Sequence, residues 1–143
     1  MTTHPLPADF MLPTLTPFNR EWFTSATLAV QRCTTCAHLQ HPPEEICRSC
    51  AATDFDVQVV APRGIVHSHT VVHYAAADAL ATSVPYVVVL VSLDDVPELR
   101  VVGNLVDADP ADARIGLAVT AVWTDHDAGD GVVIRLPNWR PSG

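Results

Sequence analysis

Cys33, Cys36, Cys47 and Cys50 form two Cys-x-x-Cys pairs separated by ten residues. Each pair lets a tight turn present two thiolates to one ion, and two such turns complete a tetrahedral shell. The four cysteines are therefore expected to bind a metal. Four thiolates leave no open coordination position, so the metal is structural rather than catalytic. Zinc is the expected ion, one per chain. Iron in a rubredoxin-like site is the chemical rival, because soft thiolates accept it too, but nothing else in the sequence speaks for electron transfer. A redox use of Cys-x-x-Cys requires a βαβ context, which is missing here. His38 and His41 lie inside the loop between the pairs and could replace a ligand. With four cysteines present, they are read as surface residues or as supports for the ligands.

His67, His69 and His73 are expected on one face of a strand, because side chains two apart point the same way. Three histidines on a face invite a metal or proton-relay role. The sequence places no carboxylate beside them, so a solvated or subunit-facing strand is the preferred reading. Asp94-Asp95 and Asp125-His126-Asp127 read as solvated turns. The chain contains no Ser-His-Asp motif, phosphate loop or dinucleotide fingerprint, and no catalytic residue is assigned.

The elements that would position these residues divide the chain in three. Residues 1–26 form an N-terminal arm and helix. The first sixteen hold three prolines and no period, so they should lie on another surface. Thr16 suits an N-cap and Pro17 the first helical position, which predicts a helix over about 17–25 with Phe18 and Trp22 on one face. Phe10, Met11 and Leu12 have no obvious home within the chain. With Phe18 and Trp22 they are the candidate partner-binding residues, and capping of the chain's own barrel is an equal alternative for the arm. Core packing is the commoner use of such an aromatic face.

Residues 27–61 form the cysteine module. Alternation predicts a strand over 27–32, with Leu28 and Val30 on one face and Ala29 and Gln31 on the other, and a second strand over 55–60. Residues 62–143 change character. Valine-rich segments at 65–73, 86–93, 99–106, 117–124 and 132–136 are punctuated by Gly, Pro, Asp and Asn. Five strands without a long intervening helix argue for a small antiparallel barrel or sandwich. A helical turn over 107–114 between the third and fourth strands fits an OB-fold. The fold class is thus mostly β: a short helix, a rubredoxin-like zinc ribbon and a five-stranded OB-fold barrel.

Composition narrows the function classes. The 143 residues are 48% hydrophobic and carry a net charge of −8, with sixteen acidic residues against eight basic ones, all arginine. Single-strand nucleic-acid binding, a known use of OB-folds and zinc ribbons, needs basic grooves and stacking aromatics. The acidic balance and sparse aromatics disfavour it. The N-terminus lacks the features of a secretory signal, and the longest apolar run, 86–91, is too short for a bilayer. A cytoplasmic protein is expected.

The order of features carries a resemblance. Thr16-Pro17-Phe18 through Trp22-Phe23 leads to Leu28-Ala29-Val30-Gln31-Arg32-Cys33. His41-Pro42-Pro43 follows, then Arg63-Gly64-Ile65-Val66-His67 and Val84-Pro85-Tyr86, and last Gly103-Asn104-Leu105-Val106 and Ile115-Gly116-Leu117. Over nearly its whole length the chain resembles the acyl-CoA-associated zinc-ribbon plus OB-fold family, "domain of unknown function 35". The resemblance implies an accessory subunit without catalysis of its own. Such a subunit would bind and stabilise a thiolase-like, lipid-transfer-protein-type aldolase acting on a steroid side-chain acyl-CoA. A heterotetramer with acyl-CoA at the interface is the implied assembly. The alternative partner is a hotdog-fold (MaoC-like) enoyl-CoA hydratase. The family's metal cysteines map onto Cys33, Cys36, Cys47 and Cys50.

Overall fold

Strand Tyr86–Leu93 shows how this sequence builds sheet: Val87, Val89, Val91 and Leu93 are buried while the residues between them are half-buried. Period-two burial of branched side chains is the pattern of a sheet with one face on a core. In the computed structural model, which describes residues 5–7 and 10–143, this strand is part of a closed barrel. The elements in chain order are α1 (Arg20–Thr24), β1 (Leu28–Cys33), β2 (Leu39–Gln40), β3 (Phe55–Val60), β4 (Arg63–Val72), β5 (Tyr86–Leu93), β6 (Arg100–Leu105), β7 (Ala118–Asp127) and β8 (Val133–Pro141). Short 3-10 turns occupy Asp78–Leu80 and Pro110–Asp112, the second inside the predicted 107–114 turn. Among the described residues, no helix is long and apolar enough to cross a membrane.

β1 pairs antiparallel with β2 on one side and β3 on the other, giving a three-stranded sheet that carries the cysteines. The barrel order is β4-β5-β6-β8-β7, closed by β4 against β7 at Arg63↔Thr120, Gly64↔Val119 and Ile65↔Ala118. Five mainly antiparallel strands with one parallel contact, Leu105↔Trp139, give the expected OB-fold barrel. Its core joins Val66, Val89, Val91, Val101, Val119 and Trp139. Gly103 is needed there because a Cβ would sit 2.8 Å from Trp139 Cδ1.

Several sequence expectations require correction. The helix is shorter than 17–25, because residues 17–19 form a turn. Thr16 still caps that turn: its Oγ1 accepts from the Asn19 N–H at 3.3 Å, and Asn19 Oδ1 accepts from the Thr16 N–H at 2.7 Å. β7 runs on to Asp127, so Asp125-His126-Asp127 is strand rather than turn, and His126 is buried beside Thr124. β8 continues past Leu136 through Pro137 to Pro141. It pairs with β7 along its whole length, but on its other side meets β6 at Leu105↔Trp139. A missing N–H is tolerated along that open stretch. There the Asn104 N–H donates instead to the Asn138 side chain at 3.0 Å.

The three histidines do not share a face. A bulge between Val66 and Ser68 gives β4 one extra residue against β5. The buried positions switch from Gly64 and Val66 to the half-buried His69 and Val71, while His67 stays exposed. His73 lies beyond the end of β4 and is exposed. A bulge reverses side-chain parity, which a period-two count cannot foresee.

Candidate functional site

The two cysteine turns are copies of one local design. In the first, the Ala37 N–H donates to the Cys33 carbonyl at 2.9 Å and the Cys33 N–H to the His38 carbonyl at 3.0 Å. In the second, the Ala51 N–H donates to the Cys47 carbonyl at 2.9 Å and the Cys47 N–H to the Ala52 carbonyl at 2.8 Å. Ala37 and Ala51 both take left-handed backbone, at φ 63° and 65°. That conformation costs an alanine about 1 to 2 kcal/mol, so the knuckle is held by what surrounds it rather than by local preference.

The turns bring four sulfurs within 4.8 Å of one another. Cys33 Sγ lies 3.6 Å from Cys50 Sγ, and Cys36 Sγ lies 3.7 Å from Cys47 Sγ. A tetrahedron with Zn–S bonds of about 2.3 Å has edges of about 3.8 Å, which these two spacings match. Cys33 and Cys47 are buried, while Cys36 and Cys50 face outward. The backbone N–H groups of Cys36 and Thr35 pull the Cys33 thiol down to about 6, and the Ser49 N–H points at Cys47 Sγ from 3.4 Å. Donors aimed at sulfur favour the thiolate that a metal requires.

A buried amide network, which the sequence reading missed, fixes the second knuckle to the sheet. Gln31 lies with Ala29 on the face of β1 opposite Leu28 and Val30; both faces are covered, and Gln31 and Gln40 are 2% and 1% exposed. Gln40 Nε2 donates to Gln31 Oε1 at 2.8 Å and to the Ile46 carbonyl at 3.1 Å. Gln31 Oε1 also accepts from the Glu44 N–H, its Nε2 donates to the Glu44 carbonyl, and the Arg48 N–H donates to Gln40 Oε1. The loop over 41–48 thus replaces β-ladder bonds with side-chain bonds. Two glutamines nine apart, one before and one between the cysteine pairs, were the available signal.

His38 is exposed, and His41 is not in the ligand group. His41 instead packs against Trp22, with ring centroids 4.3 Å apart and the ring planes tilted by 43°. Burial, with the nearby Arg48 charge, lowers its pKa to about 4, so it is neutral at neutral pH. Trp22, one of the five candidate partner residues, is buried in the chain's own core. Phe10, Leu12 and Phe18 are half-buried, and Met11 is 86% exposed. α1 is fixed to the barrel where Arg135 donates to the Thr24 carbonyl at 2.8 Å.

Comparison with known proteins agrees with both halves of this architecture. Residues 27–56 match the family profile "ChsH2, rubredoxin-like zinc ribbon domain", and residues 57–124 match "ChsH2, C-terminal OB-fold domain". The chain is 34% identical over 113 residues to a "DUF35 domain-containing scaffold protein" of Methanocaldococcus jannaschii, covering 77% of this chain and 78% of that one. The chain belongs to the DUF35 family. Among solved structures, a chain of the "Ltp2-ChsH2(DUF35) aldolase" is similar at 35% identity and a TM-score of 0.75. That match covers 91% of this chain and 98% of the other. A "probable enoyl-CoA hydratase alpha subunit" of Thermomonospora curvata is 35% identical over 133 residues. The match takes in 91% of this chain and 39% of that longer subunit. In this DUF35 protein the four cysteines hold one structural zinc, and the zinc ribbon leads directly into the OB-fold barrel.

Proposed function

We propose that this DUF35 protein is an accessory, non-catalytic subunit that binds and stabilises a thiolase-like aldolase acting on a steroid side-chain acyl-CoA. The likeness to the DUF35 chain of the Ltp2-ChsH2(DUF35) aldolase carries the reading, because it extends over nearly all of both chains. The chemistry of the chain supports an accessory role: its best-formed cluster of reactive groups, the cysteine quartet, has a closed thiolate shell. The assembly is a heteromer, with a heterotetramer as the expected form, acyl-CoA at the interface and the cytoplasm as its compartment. Metal-held Cys-x-x-Cys pairs suit a reducing environment. Phe10, Met11, Leu12 and Phe18 are the proposed contacts, and Met11 is the most exposed of them. A second reading, in which the partner is a hydratase, rests on the similarity to the hydratase alpha subunit.

Co-expression of the untagged chain with a tagged thiolase-like aldolase subunit, and in parallel with a tagged hydratase subunit, separates the two. Stoichiometric recovery with the aldolase and restored retro-aldol cleavage of a steroid acyl-CoA are expected. Recovery with the hydratase alone would replace the first reading by the second.

A further inference from the structure

A cleft of about 480 Å³ lies between the outer wall of the barrel and the helix–ribbon layer. Val102, Leu136 and Asn138 form its barrel side, Trp22 and Phe23 its helix side, and Pro42 and Pro43 the side from the cysteine loop. Its location follows from topology. β6 and β8 separate beyond Leu105↔Trp139, and the outward face of the β7–β8 hairpin is exposed there to whatever packs above it. Leu6 of the arm closes one side, next to Pro5, whose carbonyl accepts from Ser83 Oγ at 2.6 Å.

Among the described residues the lining is apolar with a few polar groups and holds no Arg, Asp or Glu. His41 lines the cleft, and its Nδ1 is buried without a hydrogen-bond partner among the described residues. The ring is uncharged at neutral pH, so it adds no charge to the lining. Thr124 Oγ1 is taken up by His126 Nε2, the Leu136 carbonyl and Asn138 Nδ2, but Asn138, 6% exposed and with its Oδ1 on the Asn104 N–H, keeps one amide hydrogen over. An apolar cleft with a few polar groups is how small-molecule sites are built. A phosphate or carboxylate would meet no cation among the described lining residues, and an ionised group desolvated there would be strongly disfavoured.

We propose that this cleft binds a neutral, largely apolar small molecule carrying one hydrogen-bonding oxygen, such as a ketone, ester, thioester or alcohol. The site belongs to this chain alone and does not depend on which enzyme the chain assists.

The test uses the zinc-loaded full chain and two naphthalene dyes: prodan, a neutral ketone, and anilinonaphthalene sulfonate, an anion. Prodan is expected to bind saturably, one per chain, with blue-shifted emission and nuclear Overhauser contacts to Trp22 and Val102. The sulfonate is expected to bind at least about tenfold more weakly. Val102→Trp and Phe23→Trp fill the cleft from opposite sides. Each should weaken prodan about tenfold or more, with circular dichroism and zinc content unchanged. Absence of saturable binding or of the Trp22 and Val102 contacts overturns the proposal, whether or not either variant folds. Equal affinity for the sulfonate, or prodan binding that survives a folded cleft-filling variant, overturns it too.

Discussion

At the scale of single residues, the four sulfurs decide whether the ribbon exists. Binding to a structural zinc contributes roughly 10 to 16 kcal/mol, comparable to the whole stability of a domain. Cys33→Ser or Cys47→Ser is therefore expected to drop zinc below half an equivalent and unfold the ribbon, read by metal analysis and circular dichroism. Normal folding after chelation would contradict a structural role. His41 makes a separate prediction about pH. Folded, it stays neutral down to about 4, whereas an unfolded histidine protonates near 6.5. Between those values the unfolded chain binds more protons, so the His41 contribution is full above pH 6.5 and is lost as pH falls toward 4. His41→Phe keeps a ring against Trp22 and removes that contribution. Denaturant titrations across this range should show a shallower acid loss for the variant, while thiolate protonation weakens both proteins alike.

Among the elements, loops and arms carry more than the helix count suggests. The loop over 41–48 has no ladder of its own and relies on the Gln31–Gln40 pair. Gln31→Leu leaves the Glu44 N–H and the Gln40 amide without their acceptor, at a cost of about 2 to 4 kcal/mol. A lower denaturant midpoint with zinc still at one equivalent is the expected result. α1 joins the two layers through Trp22 on His41 and Arg135 on Thr24. The arm before it leaves Met11 exposed. Deleting residues 1–15 is expected to weaken partner binding by at least about tenfold, or about 1.4 kcal/mol, measured by titration calorimetry alongside zinc content. Unchanged affinity would move the interface elsewhere, and lost folding would assign the arm to the chain's own core.

For the molecule as a whole, the division of labour between a zinc-nucleated sheet and a valine barrel suits a rigid accessory piece. The isolated chain is expected to show no aldolase, thiolase or hydratase turnover with acyl-CoA substrates. Activity abolished by one substitution at His67, His69 or His73 would contradict that. The bulge already argues against a concerted role, because it separates the faces of His67 and His69 and leaves His73 beyond the strand.

Sequence alone determined the parts whose cause is local. Spacing within Cys-x-x-Cys sets a knuckle, and alternating valines in β5 set a half-buried strand, because both depend on neighbours a few residues away. The order of those parts was enough to indicate the family and the barrel. Tertiary structure decided what depends on distant partners. Gln31 is buried because a loop thirteen residues away covers it, and Trp22 because it packs against a histidine nineteen residues later. His126 is buried in a strand that read as a turn, and Pro137 sits within β8 because β6 leaves that side open. The cleft has the same origin: its walls come from the arm, helix, ribbon loop and three barrel strands, and no local pattern encodes their meeting.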